Sequence, residues 1–296
     1  MVVLVTGGSG FIGSHVVNAL KEQGLTVRVF DRAKPEADLE WVKGDLRSKE
    51  DAYNAVRDVE TVFHLAAIAD VNVAATDPRL CVDVNEIGTL NLLQASAGQE
   101  VERFVLASTV WVYGMASGTV TEDTPIKPPV DIYTKTKIGQ EHLVHSWAKS
   151  HSIRYTILRY DIPYGPRMRA NMAIAAFVHR AMNKEPITIF GDGSQGRCWI
   201  YVTDLAQAHY CARKANLDGQ IINVAGRDFV TIAQIVDKLK EKLGDFPVKY
   251  APARQGDFSG VHTNIQKAND LLHWSPTVSF DNGLSEYIDT VKKNVG

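Results

Sequence analysis

The sequence predicts an α/β protein built on a doubly wound parallel sheet, with a smaller C-terminal lobe. Short apolar runs alternate with longer amphipathic segments along the first 166 residues. Such strand–helix alternation produces right-handed crossovers that cover both faces of a parallel sheet. The first apolar run also leads directly into a glycine-rich turn and a helix, which is typical of this fold class.

Buried strands of a parallel sheet are continuous apolar runs, and five such runs occur before residue 166. They span residues 2–5, 26–30, 61–65, 103–107 and 155–158, and helices are predicted at 11–24, 78–98 and 132–150. A later strand–helix–strand stretch at 199–202, 204–215 and 221–224 is compatible with the same sheet. We therefore predict a first domain at 1–166, to which 199–224 returns, and an interleaved lobe formed by 167–198 and 225–296.

The composition excludes several classes of protein. The 296 residues carry a net charge of −2 without a long basic run, so nucleic acid is not an expected partner, because phosphate binding needs clustered cations. Cys81, Cys198 and Cys211 are too few for a disulfide framework or a metal cage, which fits a reduced, cytoplasmic compartment. The N-terminus has no signal-peptide pattern, and no segment approaches the ~20 apolar residues of a membrane span.

The glycine-rich turn reads TGGSGFIG over residues 6–13. It lets backbone N–H groups and the N-terminus of the next helix approach a pyrophosphate, and its last glycine gives the helix room to pack on the strand. Strand, turn and helix together predict a Rossmann-type dinucleotide site in the first domain. The turn residues expected to contact the cofactor are Gly7, Gly10, Phe11, Ile12 and Gly13.

Two carboxylates are candidates for the adenosine end of that site. Asp31 follows the second predicted strand, where a carboxylate accepts bonds from ribose hydroxyls and repels a 2′-phosphate, so NAD is favoured over NADP. Arg32 would favour NADP instead, because its guanidinium group can bind a phosphate. Asp45 is interpreted either as an acceptor for the adenine amino group or as an N-cap of the next helix.

Tyr133 and Lys137 form a Tyr-x-x-x-Lys pattern, which places both side chains on one face of a helix. The ammonium group, with an oxidised nicotinamide nearby, is expected to lower the pKa of the tyrosine, so that a phenolate can take a proton from a substrate hydroxyl as hydride leaves the carbon. Thr109 follows a predicted strand at the sheet edge where parallel α/β proteins bind ligands, and its hydroxyl can bond the same oxygen. Tyr210 and Lys214 repeat the spacing, but nothing around them indicates chemistry.

A further set of motifs runs along the chain: Thr6-Gly7-x-x-Gly10-x-x-Gly13, Asp31, Asp45-Leu46, His64-Leu65-Ala66-Ala67, Asn85-x-x-Gly88-Thr89, Ser108-Thr109, Val112-Tyr113-Gly114, Tyr133-x-x-x-Lys137, Leu158-Arg159-Tyr160, Tyr164-Gly165-Pro166, Gly191-Asp192-Gly193-x-Gln195-x-Arg197 and Arg254-x-Gly256-Asp257. Jointly they resemble the extended short-chain dehydrogenase/reductases, and among these the NAD-dependent nucleotide-sugar epimerase/dehydratase family. The resemblance implies that the C-terminal lobe binds a nucleotide sugar. It also implies that Leu46 and the segment Leu65, Ala66 and Ala67 lie along the cofactor, supported by Asn85.

The same resemblance supplies candidate substrate contacts. Arg197 and Arg254 match arginines that hold the nucleotide diphosphate, as guanidinium groups suit phosphate oxygens, although a surface ion pair is the alternative for each. Asp257 belongs to the second of these motifs. Thr188 and Phe190 match a segment that lines a uracil pocket, which favours UDP, although Phe190 is equally compatible with core packing.

Three departures from the family pattern bear on the reaction and the substrate. Dehydratases of the family place an acidic pair directly after the threonine, where this chain has Val110 and Trp111, so elimination lacks its acid–base groups. The usual asparagine after Leu-Arg-x-x is replaced by Ile162, and the aspartate that usually follows the arginine is replaced by Cys198. The last two changes indicate an altered diphosphate or substrate contact.

The activity expected from this set of residues is that of an NAD-dependent nucleotide-sugar 4-epimerase, acting on a UDP-hexose or a UDP-hexuronate. A nucleotide 4-ketosugar reductase is the alternative within the family, and a non-catalytic dinucleotide sensor is an alternative from another class. Family members usually pair through the helices matching 78–98 and 132–150, so a homodimer is expected.

Overall fold

The computed structural model describes residues 2–213, 217–253 and 260–295. Its strands are β1 Val2–Thr6, β2 Thr26–Asp31, β3 Glu40–Lys43, β4 Val59–His64, β5 Arg103–Thr109, β6 Thr119–Val120, β7 Arg154–Tyr160, β8 Pro163–Tyr164, β9 Ile187–Phe190, β10 Gly196–Arg197, β11 Ile200–Tyr201, β12 Gln220–Val224, β13 Val230–Thr231, β14 Val248–Ala251 and β15 His262–Thr263. Its α-helices are α1 Phe11–Glu22, α2 Lys49–Ala55, α3 Val71–Thr76, α4 Pro78–Val82, α5 Gly88–Gly98, α6 Ile132–His151, α7 Ala173–Met182, α8 Val202–Cys211, α9 Ile232–Leu243, α10 Gln266–Leu272 and α11 Phe280–Val295.

Seven strands form one parallel sheet in the order β12-β7-β5-β4-β1-β2-β3. Helices cover both of its faces, so the predicted doubly wound α/β fold is confirmed. The central strands β1, β4, β5 and β7 are almost entirely buried, as continuous apolar runs require. Strand β3 is a short, partly exposed edge strand, and β12 closes the opposite edge.

The long helix predicted at 78–98 is interrupted. Between α4 and α5 the chain forms a π-helical turn at Asp83–Ile87. Such turns contain one extra residue per turn and occur frequently at functional sites. Here the π-turn contains Asn85, which is fully buried and points to the segment that follows β4.

The C-terminal part of the chain has its own hydrophobic cluster, which includes Ile174, Val178, Ile189, Leu239 and Leu284. The short strands β8 and β11 pair with each other outside the main sheet. Residues 268, 272 and 274 lie in the predicted C-terminal lobe, yet they pack into a cluster with β1, α1 and α8. The division of the chain into two lobes therefore stays a prediction.

The described residues contain neither a membrane-spanning helix nor a candidate metal cluster. None of the helices in 2–213, 217–253 and 260–295 is long and apolar enough to cross a membrane. The same ranges contain no cluster of three or more His, Cys, Asp or Glu side chains that could hold a metal ion.

Candidate active site

A cavity of about 750 Å³ lies at the carboxyl ends of β1, β2, β5 and β7. This is the edge of a parallel α/β sheet at which ligands bind. The cavity brings together most of the residues predicted from the sequence. They are Gly7, Gly10, Phe11, Ile12, Gly13, Asp31, Arg32, Asp45, Leu46, Leu65, Ala66, Ala67, Thr109 and Tyr133.

The turn after β1 has the geometry that a dinucleotide needs. Gly7 has φ +70°, and a Cβ on it would lie 2.9 Å from the Ala66 backbone; a Cβ on Gly13 would lie 2.0 Å from the Gly7 carbonyl oxygen. At Gly10, the N-cap of α1, an added Cβ would meet only one atom, and no side chain caps the helix. The backbone at this helix N-terminus is therefore open to the cavity, where the helix dipole favours a negatively charged group.

The carboxylate of Asp31 lies at the end of β2 and is held by two backbone groups. The N–H of Ser9 donates to Oδ2 at 3.1 Å and the N–H of Ala33 donates to Oδ1 at 3.0 Å. Through Ser9, the carboxylate is tied to the glycine turn itself. This position fits the predicted contact with an adenosine ribose.

Asp45 also lines the cavity, but it does not cap the next helix. Ser48 is the N-cap of α2 and accepts a hydrogen bond from the N–H of Asp51. The carboxylate of Asp45 instead pairs with Arg47, at 2.7 Å between Nη2 and Oδ2, and this bond lowers the pKa of Asp45. The N-cap interpretation was therefore wrong.

A buried polar network positions the segment that follows β4. The Thr6 hydroxyl accepts hydrogen bonds from the N–H groups of Leu65 and Ala66, at 3.2 and 3.1 Å, and lies 2.8 Å from His64 Nδ1. Burial lowers the pKa of His64 to about 3, so its imidazole is neutral. The backbone along the cavity wall is thus fixed by a network without a charged histidine.

Asn85 holds the next part of this segment without lining the cavity. Its Oδ1 accepts from the Ile68 N–H at 2.7 Å, and its Nδ2 donates to the Ile68 carbonyl at 3.1 Å and to Thr136 Oγ1 at 2.9 Å. Thr136 lies on α6 between Tyr133 and Lys137. Asn85 thereby connects the segment beside the proposed cofactor to the helix of the proposed catalytic residues.

Tyr133 and Thr109 line the cavity together. Burial raises the pKa of Tyr133 well above its usual value, and the charge of Asp131 adds to that rise, whereas Arg169 and a hydrogen bond with Thr109 lower it. In the protein alone, burial outweighs the opposing charge of Arg169. The lowering of this pKa by Lys137 together with an oxidised nicotinamide stays a prediction. The protein itself keeps Tyr133 protonated.

Lys137 lies beneath the cavity instead of in its wall. Its side chain is 4% exposed, its Nζ donates to the Ala107 carbonyl oxygen at 2.9 Å, and Nζ is 6.0 Å from the centroid of the Tyr133 ring. Burial lowers the pKa of Lys137 to about 8, while Glu141 opposes that change. The ammonium group is therefore a fixed but weakly stabilised charge next to β5.

Five residues were predicted to contact the nucleotide, and the three of them that the structure describes do not line this cavity. Thr188 and Phe190 lie on β9, which pairs with β14, and Arg197 lies on β10, which pairs with β13; none of the three is among the described residues that line the cavity. Arg254 and Asp257 lie outside the described residues. The substrate role of these five residues stays a prediction.

The cavity also contains residues that the sequence did not single out as contacts. They include Asp70, Tyr160, Asp161, Arg167, Met168, Arg169, Met172 and Trp199. Most belong to the segment after β8 or follow the end of β7, where no periodic pattern indicates which side chains face a ligand. Tyr160 was visible only as part of the Leu158-Arg159-Tyr160 motif.

Comparison with known proteins gives one family. Residues 3–225 match the model of the NAD dependent epimerase/dehydratase family. The chain belongs to this family. Over 99% of its length it is 31% identical to the UDP-glucuronate 4-epimerase of Thermodesulfobacterium geofontis, of which 96% is covered.

Two solved structures of similar proteins share the whole fold of this family member. MoeE5, solved in complex with UDP-glucose and NAD, superposes with a TM-score of 0.94 at 30% identity, and the match covers 100% of both chains. The UDP-glucuronic acid 4-epimerase of Bacillus cereus, solved with UDP-glucuronic acid and NAD, superposes with a TM-score of 0.93 at 33% identity, over 99% of this chain and 100% of the other. The resemblance inferred from the sequence motifs is confirmed at the level of the family and the fold.

Proposed function

We propose that the protein is an NAD-dependent nucleotide-sugar 4-epimerase that works through a transient 4-keto sugar. The observation that carries this proposal is a single cavity whose wall includes both the glycine turn and the pair formed by Thr109 and Tyr133. Lys137 lies directly beneath that pair. The similarity to epimerases solved with NAD and UDP-sugars supports the same reaction.

Each of the proposed site residues would have a distinct role in the reaction. Bound NAD would supply the hydride acceptor, and in its reduced form the hydride donor, for the sugar carbon. The turn at Gly7 to Gly13 would hold its pyrophosphate and Asp31 its adenosine ribose. Tyr133 would accept the proton of the substrate O4 hydroxyl, and Thr109 would orient that oxygen.

The charge state of Tyr133 follows from its surroundings. Because burial raises its pKa, a free phenolate would be unstable in the protein alone. A positive charge close to the phenol reverses this effect, so the tyrosine is expected to lose its proton only when the oxidised cofactor is present. The Lys137 ammonium, 6.0 Å from the centroid of the Tyr133 ring, is expected to act in the same direction.

Epimerisation is favoured over elimination. Val110 and Trp111 follow Thr109 in the structure, and neither can donate or accept the protons that elimination from the sugar requires. A simple cycle of oxidation and reduction remains. It could end in epimerisation, when the 4-keto sugar turns within the site, or in reduction of a supplied 4-keto sugar.

The nucleotide is proposed to be UDP, and the sugar a hexose or a hexuronate. Arg197 and Arg254 are the proposed diphosphate contacts, with Asp257 beside the second, and Thr188 and Phe190 the proposed contacts of the base. We also keep a cytoplasmic location as a prediction, with which the three free thiols of Cys81, Cys198 and Cys211 are consistent.

We further propose that two copies pair through α5 and α6. Leu92, Leu93 and Val144 are fully buried in the core of the single chain, so they leave no surface for a partner. Leu90, Leu143 and Trp147 are only half-buried, and Ile87 is 46% exposed. These side chains supply the apolar surface that a contact between helices requires.

The fate of a deuterium label at C4 tests the reaction. The purified protein is incubated with a UDP-hexose or UDP-hexuronate that carries deuterium at C4, without added dinucleotide. An epimerase returns the same hydride, so the C4 epimer is expected with its deuterium retained and without accumulation of free NADH.

Two other outcomes would contradict the proposal. Turnover only after addition of NADH or NADPH with a 4-keto sugar would indicate a reductase instead of an epimerase. Loss of deuterium to solvent with epimer formed would indicate a deprotonation route, which would contradict the proposed role of Tyr133.

A further inference from the structure

Asp161, at the end of β7, is a buried carboxylate that the proposed reaction does not use. It directly follows Tyr160, which pairs with Thr109 across β5 and β7. Asp161 lines the cavity and is only 2% exposed. A carboxylate is rarely buried unless donor groups compensate its loss of water. The donors around Asp161 therefore indicate what it does.

The Asp161 carboxylate is bonded to two segments that are distant in sequence. Its Oδ2 accepts from the Cys198 N–H at 3.2 Å and from the Thr263 hydroxyl at 2.8 Å. Its Oδ1 accepts from the N–H of the adjacent Ile162 at 2.9 Å. Burial raises the pKa of Asp161, and these bonds together with the charge of Arg197 oppose that rise. One carboxylate thus joins the end of β7, the chain that follows β10, and β15.

The two bonded segments meet around the proposed diphosphate contact. Arg197 directly precedes Cys198 in the chain. Gly260, three residues before the second bonded segment's threonine, has φ +96°. A Cβ on Gly260 would clash with the Gly196 carbonyl oxygen and would lie 2.7 Å from Arg197 Nη1. The segments that Asp161 holds therefore lie against each other beside the arginine.

On the side of β8, backbone pairing does not reach the arginine. Strands β8 and β11 pair through two residues each, and the Ile200 N–H donates to the Ile162 carbonyl oxygen at 3.1 Å. Strand β11 begins at Ile200. Two residues earlier, the N–H of Cys198 donates to the Asp161 side chain instead. The carboxylate thus extends the attachment of this segment to the residue next to Arg197.

Position 198 shows what the Asp161 carboxylate replaces. The family pattern places an aspartate after the arginine, where this chain has Cys198. Burial, and then the charge of Asp161, raise the pKa of the Cys198 thiol to about 11, whereas a hydrogen bond with the Thr263 backbone opposes that rise. The thiol is therefore neutral and lies beside both Asp161 and Thr263. The carboxylate that is missing at position 198 is present in the same cluster, on a different strand.

We infer that Asp161 is a positioning residue for the nucleotide, which supplies from the end of β7 the carboxylate that the family pattern carries at position 198. It holds the Arg197 segment in register with the strand beside Thr109. The inference rests on the proposed function, in which Arg197 contacts the diphosphate and Thr109 the sugar. Asp161 itself takes no part in hydride or proton transfer.

A double-mutant cycle between positions 161 and 198 tests this exchange. The dissociation constant of UDP is measured by calorimetry on the NAD-loaded enzyme. Asp161→Asn keeps the shape but loses the charge, and it should weaken UDP binding about tenfold or more, since hydrogen bonds to a charged group are lost. Cys198→Asp alone should also weaken binding, because two carboxylates then meet at Thr263. The two changes combined leave one carboxylate, and the double variant should recover most of the wild-type affinity.

Two controls separate positioning from general damage to the fold. Asp161→Asn combined with Cys198→Asn has the shape of the double variant without the charge, and it should not recover UDP binding. In steady-state kinetics with a UDP-hexose, Asp161→Asn should raise KM and leave kcat nearly unchanged, as loss of uniform binding requires. The NAD content of every variant should equal that of the wild type.

Each other outcome contradicts the inference. Single variants that lose thermal stability but bind UDP like the wild type would reduce Asp161 to a structural role. Losses that simply add in the double variant would mean that the two positions do not exchange one carboxylate, and the epimerase proposal would stand. If Asp161→Asn does not fold, a double variant that folds without binding UDP would overturn the inference. A wild type that neither binds UDP nor epimerises a UDP-sugar would overturn both proposals.

Discussion

Arg159 on β7 and Glu141 on α6 form a buried ion pair. Arg159 Nη2 lies 2.6 Å from Glu141 Oε2, Nε lies 3.0 Å from Oε1, and both side chains are 3% exposed. The Ser108 hydroxyl donates to the same carboxylate at 2.5 Å, next to Thr109. Glu141 also lies one helical turn after Lys137, so the ion pair joins β5, α6 and β7 at the point where the proposed catalytic residues meet.

Glu141→Gln should therefore destabilise the fold. Removal of one partner leaves the guanidinium buried without its countercharge, and such losses typically cost about 3–5 kcal/mol. Urea unfolding followed by circular dichroism measures the change. The exposed pair Arg154–Glu102 provides a matched control, since Glu102→Gln should change the free energy of unfolding by no more than about 1 kcal/mol. Equal effects of the two variants would contradict the importance assigned to the buried pair.

The burial of Lys137 should be visible in the pH dependence of stability. Its pKa is lowered from about 10.5 to about 8 in the folded protein, so between these values the unfolded chain binds more protons than the folded one. Stability from this group therefore rises as pH increases from 8 to 10.5. The full effect is at most about 3 kcal/mol, because each pKa unit corresponds to about 1.4 kcal/mol.

Lys137→Met removes this titration and provides the comparison. Urea unfolding of the cofactor-stripped protein at pH 7 and pH 10 should show a larger gain for the wild type than for the variant. Other groups titrate over the same range, but they do so in both proteins, and the difference isolates Lys137. A wild type and a variant with the same pH dependence would mean that the folded pKa of Lys137 is not lowered.

Asp31 should make the protein bind NAD better than NADP. Its carboxylate is fixed by the Ser9 and Ala33 N–H groups, so it cannot turn away from a 2′-phosphate. A repulsion of only about 1.4 kcal/mol already gives a tenfold difference in affinity. Calorimetric titration should show this preference in the wild type and its loss in Asp31→Asn. Asp45→Asn, which alters a carboxylate already paired with Arg47, should keep the preference, and equal affinities in the wild type would exclude Asp31 from this role.

The proposed homodimer can be tested at α6. Leu143→Glu places a charge in the proposed helix contact, and its burial without a partner is unfavourable. The variant should therefore appear as a monomer by light scattering at micromolar concentration, while the wild type appears as a dimer. His142→Glu alters the neighbouring exposed position and should leave the dimer intact. A wild type with the mass of a monomer would contradict the proposal.

The sequence predicted the sheet because its strands are buried on both faces. Runs such as 2–5 and 103–107 must be apolar throughout, and this requirement is visible without any tertiary information. The glycine turn was equally visible, because Gly7 and Gly13 occupy positions that admit no side chain. Interruption of the helix at Asp83–Ile87 was not predicted, since a π-turn changes the local hydrogen bonding without a change in the apolar pattern.

The substrate half of the site depends on contacts that span the chain. Arg169 and Asp161 reach the cavity from loops, and their partners Asp70 and Thr263 are 99 and 102 residues away in sequence. No local pattern relates residues at such distances. The burial that raises the pKa of Tyr133 likewise follows from the packing of the whole fold and has no local sequence pattern.

Tyr133→Phe against Tyr210→Phe tests the position of the active site. Both tyrosines begin a Tyr-x-x-x-Lys pattern, but Tyr133 lines the cavity with Thr109, whereas Tyr210 lies on α8 and packs half-buried against the main core. Lys214, the partner of Tyr210 in the pattern, lies outside the described residues.

Loss of the Tyr133 hydroxyl removes the proton acceptor and keeps the ring, so turnover should fall by about 10²-fold or more while NAD remains bound. Tyr210→Phe should retain nearly full turnover, since its hydroxyl has no role in the proposed reaction. The prediction is checked by the rate of epimer formation. The amount of NAD that each purified variant carries is measured alongside. If both variants lose activity equally, or if neither does, the active site has been assigned to the wrong tyrosine.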